Sequence, residues 1–560
     1  MAELAEREQA PGPAPRQTPG TSGQRRTGLP GWLVVAVPAV AAFFINLAGL
    51  SGPSLWRDEA YTKDAISRSI THIFDLLGHN DAVHGFYYVI IHFYSEVAGT
   101  SDFAMRFPSV CAMAVATGFT AAVARRATKL AGLSGRWPDV TAMVAGLVFA
   151  TSPYMTYYAQ MARPYAFVTM CATIASYVLL RAYADGGWRW WTLYGVAVGF
   201  TGLFNTFGLL IIPAHALTIL AAGGGAGGGV QAAGSWVRRV ARPWLIAAAV
   251  AVIVLGPLLL LSYRERGQIS WLGKPDRAAV EALVRDFAGS RRLLVPVGLL
   301  ALGGVAAGIF DGRFFGRLFG GRLSEGLGDG GRRLTPAAIA LPWLVVPPVV
   351  LIAVSMVKPV YNLRYVEYCL PALAILVAAG LVGLIRLLTE LLSGRTSLRL
   401  ETARRAGIGA AAVVLAAMAV LLISPQHSIR QSSARPDNLR LASQIVAANE
   451  RPGDIVFYLP VDMHVLGTGY PAPFLKLRDI ALSESPIQSG TLTGTEISSP
   501  AELASRFTDV TRVWVVTGAS TYKFPVPSTP LDKEKLKLLS GMHILNRWMA
   551  GEVMLTLYGH

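Results

Sequence analysis

From Gly31 to Ser424 long apolar runs alternate with short polar breaks, and each run approaches the ~20 residues that a helix needs to cross a hydrocarbon core. Eleven spans are expected, near Gly31–Leu50, Phe107–Ala124, Pro138–Tyr157, Tyr165–Leu180, Trp188–Phe204, Thr206–Ala222, Pro243–Leu261, Leu293–Phe310, Thr335–Val357, Val366–Leu388 and Gly407–Ser424. One apolar stretch stands apart. His84–Gly99, HGFYYVIIHFYSEVAG, is short and aromatic and carries two His and a Glu, which suits an interfacial or re-entrant helix better than a span.

After Ser424 the pattern changes. A helical stretch is predicted at Asn438–Asn449, strands at Asp454–Leu459 and Arg512–Thr517, a helix at Leu531–Leu539, and further strands near the C-terminus. The expected fold class is therefore an all-α polytopic membrane protein with a small C-terminal α/β domain. Its expected parts are a disordered cytoplasmic tail (1–30), a transmembrane domain (31–426) and an extracytoplasmic α/β domain (427–560). Gly223–Gly229 is expected to be a flexible linker and not a phosphate-binding loop, because no Lys-Ser/Thr pair follows it.

Composition agrees with a bilayer protein: 53% of residues are hydrophobic, 15% are charged and the mean hydropathy is +0.44. The net charge of +16 does not point to nucleic acid, because the basic residues are scattered through short loops instead of forming one patch. They report topology. If His84–Gly99 does not cross, basic loops such as Arg125–Arg126–Lys129 and Arg238–Arg239 fall on the cytoplasmic side, as the positive-inside rule requires. Asp58, His84, Arg163, Tyr361, Arg364 and the whole C-terminal region then share the extracytoplasmic face. The excess of Arg over Lys, with abundant Ala and Gly, favours a bacterial plasma membrane. The three cysteines lie in apolar runs and form no metal or disulfide pattern.

Four segments on that face carry candidate chemistry. The first is Leu55–Tyr61 (LWRDEAY), with Asp58 and Glu59 adjacent and flanked by Arg57 and Tyr61. Asp81–Tyr88 follows, where helical spacing puts His84 and Tyr88 on one side. The third is Tyr157–Tyr165 (YYAQMARPY), with Gln160, Arg163 and Tyr165, and the fourth is Lys358–Glu367 with Lys358, Tyr361 and Arg364. Taken singly each has a plain reading: a hydrated loop, a structural His, or an Arg reaching lipid phosphate.

Together these segments resemble the GT-C glycosyltransferases, in particular the glycosyltransferase family 39 branch with its protein O-mannosyltransferases and lipid A aminoarabinose transferases. The resemblance spans roughly residues 31 to 390. It is carried by Asp58–Glu59, His84 with Tyr88, Arg106-Phe107-Pro108-Ser109, Tyr158 to Tyr165, and Arg364–Tyr365. The chain departs from the family pattern at Gly85 and Phe86, where two prolines often stand, and at Met161, where a Glu is frequent.

The resemblance implies a GT-C fold, with interfacial helices in the first external loop, and a sugar donor linked through phosphate to a polyprenol. The acceptor it implies belongs to the cell envelope, and mannosyl transfer is the leading expectation. Asp58, or Glu59 in second place, would take the acceptor proton. His84, Tyr88, Arg163, Tyr165, Lys358, Tyr361 and Arg364 would hold the donor phosphate, and Arg57, Tyr61, Asp81 and Gln160 would line the substrate site. A single displacement with one base inverts the anomeric centre. No cofactor is assigned, and a divalent cation is left open because one His and two carboxylates do not define a site. A lipid-linked sugar transporter and a non-catalytic wall-binding scaffold are the alternatives.

Overall fold

The computed structural model describes residues 30–223, 234–309, 334–395, 400–518 and 529–560. The tail up to residue 29 and the Gly-rich stretch 224–229 lie outside the described residues. Every apolar run singled out above is helical. In chain order the helices are α1 (Leu33–Leu47), α2 (Arg57–Ile66), α3 (Ile70–His79), α4 (Gly85–Ala98), α5 (Asp102–Leu130), α6 (Trp137–Ala150) and α7 (Pro153–Ala159). They continue with α8 (Tyr165–Asp185), α9 (Trp188–Phe204), α10 (Ile211–Gly223), α11 (Arg242–Val254), α12 (Gly256–Arg264), α13 (Arg277–Ala288) and α14 (Leu294–Ile309). The last apolar helices are α15 (Pro336–Val357), α16 (Leu370–Arg395) and α17 (Leu400–Ser428).

Two expected spans are broken, each for a local reason. In Pro138–Tyr157 the helix stops at Ala150, and the Ser152 side chain caps a new helix that opens on Pro153. In Pro243–Leu261 the chain bends by 49° at Leu255, ahead of Gly256-Pro257. By length and apolarity alone seven described helices can cross a membrane, and this bent pair makes an eighth; α1 and α6 are apolar but shorter. Helices α5, α8 and α16 form the buried centre, whereas α14 and α17 turn most of their apolar surface outward, as lipid-facing helices do. Helix α4 has 14 residues and rises only about 21 Å, too short to cross ~30 Å of hydrocarbon unaided.

Beyond Ser428 come α18 (Leu439–Asn449), β1 (Ile455–Leu459), β2 (Leu482–Glu484), β3 (Thr495–Glu496), α19 (Pro500–Arg506), β4 (Arg512–Gly518), α20 (Pro530–Leu539), β5 (His543–Ala550) and β6 (Val553–Gly559). The main sheet has the order β1-β4-β6-β5, with β1 parallel to β4 and the other pairs antiparallel. Its residues alternate between two cores, as the two-residue period of a strand demands. Val456, Tyr458, Trp514 and Val516 face α18 and Ala60 of α2, while Ile455, Phe457, Val513 and Val515 face Leu503 of α19 and Leu531 and Leu539 of α20. The core on that side of the sheet therefore includes α2, the helix that carries Asp58 and Glu59, which meets the C-terminal region at residues 465–470.

Candidate functional site

Asp58 and Glu59 occupy the first turn of α2, where carboxylates oppose the positive end of the helix dipole. Successive helical residues point about 100° apart, so the two side chains leave in different directions. Glu59 turns inward and is fully buried. Its oxygens accept from Arg106 Nε at 2.7 Å and Nη2 at 2.6 Å, and Oε1 also accepts from the Ala162 backbone N–H at 2.9 Å. Arg106, equally buried, gives its remaining N–H groups to the carbonyls of Leu50, Pro53 and Ser54 at 2.9–3.0 Å. All five guanidinium donors are thus engaged.

Asp58 turns toward Arg364. Its Oδ2 accepts from Arg364 Nη1 at 2.5 Å, with the two side chains 15% and 18% exposed. Arg364 sits in a 3-10 turn over Leu363–Tyr365 that Asn362 caps, and its guanidinium lies 5.7 Å from the Trp271 ring centre. On the other side of Asp58, Arg163 donates to the Asp58 carbonyl at 3.3 Å and to the Tyr88 hydroxyl at 3.2 Å, and its Nη2 meets His84 Nε2 at 3.0 Å. Because arginine only donates, His84 Nε2 is the acceptor. Its Nδ1 then carries the proton and donates it to Asp81 Oδ1 at 3.0 Å. The Tyr88 hydroxyl donates to the second Asp81 oxygen.

Asp81 adopts a left-handed conformation, φ 64°, that aims its carboxylate at this pair. Burial alone would raise the Asp81 carboxyl, but its contacts to His84, Arg163 and Tyr88 outweigh that and hold it well below the usual carboxylate range. Burial and the neighbouring Arg163 push the His84 imidazole down against the pull of Asp81, which agrees with a neutral ring. Arg163 and Arg364 share one feature: each keeps a buried Nε–H without a hydrogen-bond partner among the described residues.

The segment carrying Arg163 is pinned from several sides. Thr62 Oγ1 donates to the Ala162 carbonyl at 2.9 Å and Ser109 Oγ to the Met161 carbonyl at 2.8 Å. Gln160 is fully buried, and its Nε2 ties the segment to the end of α1 through the carbonyls of Asn46 and Ala48 at 2.7 and 2.8 Å. Arg435 donates to the Gln160 carbonyl at 2.7 Å and stacks on Tyr157 at 3.8 Å.

The remaining expected residues are spread around this cluster. Tyr165 is buried and makes an edge contact with Tyr158 at 5.2 Å. Arg57 binds Asp437, by its backbone N–H at 3.1 Å and by Nε at 3.7 Å, and Tyr61 packs against the core beneath the C-terminal sheet. Lys358 is exposed and lies 5.3 Å over the Tyr263 ring, and Tyr361 is buried with its hydroxyl unpartnered among the described residues.

A cavity of about 570 Å³ adjoins Arg364, walled by Trp56, Tyr154, Tyr157, Tyr165 and Trp271, with Asp286 at its edge. Sequence reading did not find Trp271, Asp286, Arg435 or Asp437. They lie far along the chain from the motifs, and no local spacing marks them.

Both oxygens of Glu59 are held by Arg106, both His84 nitrogens are engaged, and among the described residues no group of three or more His, Cys, Asp or Glu could hold an ion.

Residues 85–260 match the family model described as dolichyl-phosphate-mannose-protein mannosyltransferase, a stretch that includes Arg163 but neither Asp58 nor Arg364. No curated protein sequence matches. Among solved structures the chain is similar to the crystal structure of ArnT from Cupriavidus metallidurans in the apo state, with TM-score 0.51 and 14% identity over 94% of this chain and 98% of that one. The same protein bound to undecaprenyl phosphate matches with TM-score 0.50, 14% identity and the same coverage. The fold is the GT-C fold, and the resemblance drawn from the motifs holds at that level.

Proposed function

We propose that this chain is a membrane glycosyltransferase that takes its sugar from a polyprenyl-phosphate donor. The observation that carries the reading is the pair of guanidinium groups at Asp58: Arg364 on its carboxylate and Arg163 on its main-chain carbonyl, each with a buried Nε–H left unpartnered among the described residues. Two guanidinium groups at one carboxyl-bearing residue, each with a donor to spare, suit an anion with several oxygens, such as a phosphate. A solved neighbour of this fold binds undecaprenyl phosphate, and the matched family is described by a dolichyl-phosphate donor. Both support a polyprenyl-phosphate carrier.

In the unliganded arrangement Arg364 neutralises Asp58. A donor phosphate competes for that guanidinium and releases the carboxylate, so the base becomes competent only when donor is present. Asp58 then accepts the proton of the acceptor hydroxyl as its oxygen bonds to the anomeric carbon. The carbon–oxygen bond to phosphate breaks, and the polyprenyl phosphate leaves with the electron pair while Arg163 and Arg364 balance its charge. One displacement inverts the anomeric centre. Glu59 has no such freedom: it positions α2 through Arg106. Asp81 and His84 hold Arg163 in place.

Mannose or a related hexose is the proposed sugar, and a glycolipid, glycan or protein of the cell envelope the proposed acceptor. The site and the C-terminal region are assigned to the extracytoplasmic face of a bacterial plasma membrane on the distribution of basic loops. The test incubates purified protein with radiolabelled polyprenyl-phosphate sugars and membrane extract. Label moving from carrier to an acceptor is the expected result. Label that stays on the carrier for every sugar, or only changes membrane leaflet, overturns the assignment.

A further inference from the structure

A second concave surface lies away from the Asp58 site. Between α9 and α11 runs a groove of about 1060 Å³. Gly195 and Gly199 belong to its floor, and Phe200, Ile246, Val250 and Val254 to its apolar walls. The lining contains no Asp or Glu, and its only charged members, Arg238, Arg239 and Arg242, stand together at one end. A wider π-helical turn over Val237–Ala241 carries the first two, and α11 opens on the third. All three are exposed and make no ion pair among the described residues. Asp185, next to the groove residue Gly186, is already paired with Arg126 and Arg181.

The arginine end faces away from the catalytic side. Just past the other end of α9, Phe207 stacks on Tyr365 at 4.9 Å, beside Arg364. Along the way Phe200 and Phe204 meet Phe86 of α4. The 17 residues of α9 separate the two ends by about 25 Å.

We propose that this groove is a binding site for an anionic phospholipid of the leaflet opposite the Asp58 site. An acyl chain lies along α9 and α11, and the headgroup phosphate meets Arg238, Arg239 and Arg242. The argument is one of complementarity. The 13 residues of α11 rise roughly 20 Å, more than half of the ~30 Å hydrocarbon core, so the apolar groove matches a chain from one leaflet. A neutral lipid could fill the walls equally well. The three guanidinium groups, without an ion pair among the described residues, are what select a negative headgroup, since arginine matches phosphate geometry and no carboxylate in the lining offsets the charge.

The test uses the full chain, purified and stripped of lipid, in native mass spectrometry with phosphatidylglycerol, chain-matched phosphatidylcholine and undecaprenyl phosphate. Wild type should retain phosphatidylglycerol at about a hundredfold lower concentration than phosphatidylcholine, from three basic contacts near the headgroup. The triple variant R238Q/R239Q/R242Q should lose that preference while binding undecaprenyl phosphate as wild type does. Gly199→Leu should weaken both phospholipids by filling the groove, because a Cβ there meets nothing within 4 Å and the fold can accept it. Thermal midpoints near wild type confirm that both variants are folded. Equal retention of the two phospholipids by wild type, or an intact preference in the triple variant, overturns the proposal. A fall in undecaprenyl phosphate binding matching that of phosphatidylglycerol overturns the phospholipid as occupant.

Discussion

Replacing Glu59 by Gln should unfold the protein more easily, whereas replacing Asp58 by Asn should leave it folded and inactive. The two carboxylates are neighbours in sequence, yet their surroundings differ in kind. Glu59 and Arg106 are both fully buried and fully hydrogen-bonded, so removing one charge strands the other where no water reaches. Breaking one partner of such a pair costs about 3–5 kcal/mol. Arg106→Met should cost at least as much, because the carbonyls of Leu50, Pro53 and Ser54 lose their donor as well. Against a total stability on the order of 5–15 kcal/mol, the unfolding midpoint should fall by about 3–4 °C in a detergent thermal-unfolding assay. Asp58→Asn loses one partly exposed ion pair and should move stability by about 1 kcal/mol or less, while sugar transfer falls about a hundred- to ten-thousand-fold. A stable but inactive Glu59→Gln together with an active Asp58→Asn would exchange the two roles and refute the reasoning.

Other consequences follow from the same contacts. Arg163→Ala should raise the apparent Kd for undecaprenyl phosphate and slow transfer, because its charge is used in both the bound and the transition state; titration of purified protein reads the first and a label-transfer assay the second. Asp58→Asn should bind undecaprenyl phosphate more tightly than wild type, since Arg364 no longer has a carboxylate to satisfy, and weaker binding in that variant would refute the competition. In the C-terminal region, burial raises the Asp479 carboxyl to about 6 from 3.8, so the folded chain holds its proton longer than the unfolded one. Its contribution to stability should then fall as pH rises from about 4 to 6, and the Asp479→Asn variant should lack that part of the slope in unfolding measured across the window. Arg435→Met should lower stability and transfer together, because Arg435 braces the segment that carries Arg163.

Much of the scaffold was legible in the sequence because helices and strands leave short-range signatures. The C-terminal helix at Leu439–Asn449, with Asn438 as its cap, and the strands Ile455–Leu459 and Arg512–Gly518 fall where period and capping residues put them. The residue types that break the helices at Ser152-Pro153 and Gly256-Pro257 are equally visible, but hydropathy averaged along a window smooths over a single cap or bend. The four motif segments do converge, but sequence cannot say which member of a motif faces the cleft. Gln160 shows the point: it lies three residues before Arg163 in one motif, yet its Nε2 is turned to the carbonyls of Asn46 and Ala48. Asp437 and Arg435 were out of reach for another reason. They act on α2 and on the Arg163 segment across some 275 to 380 positions of chain, a separation that no periodicity encodes.

The division of labour between Asp58 and Glu59 rests on the same geometry. A turn of about 100° between successive helical residues lets one short sequence supply both an anchor and a reactive group. The anchor has to be the fully paired one, because a base held by five-fold donor saturation on its partner could neither shed nor receive a proton without opening a buried ion pair. The reactive group has to be the one whose counterion can be drawn away. Arg364 meets that condition: it sits on a short capped turn, it retains an unpartnered Nε–H, and it borders the aromatic cavity into which a sugar phosphate could bring competing oxygens. In the proposed mechanism, this coupling of the base to donor arrival leaves Asp58 paired with Arg364 until a phosphate competes for it.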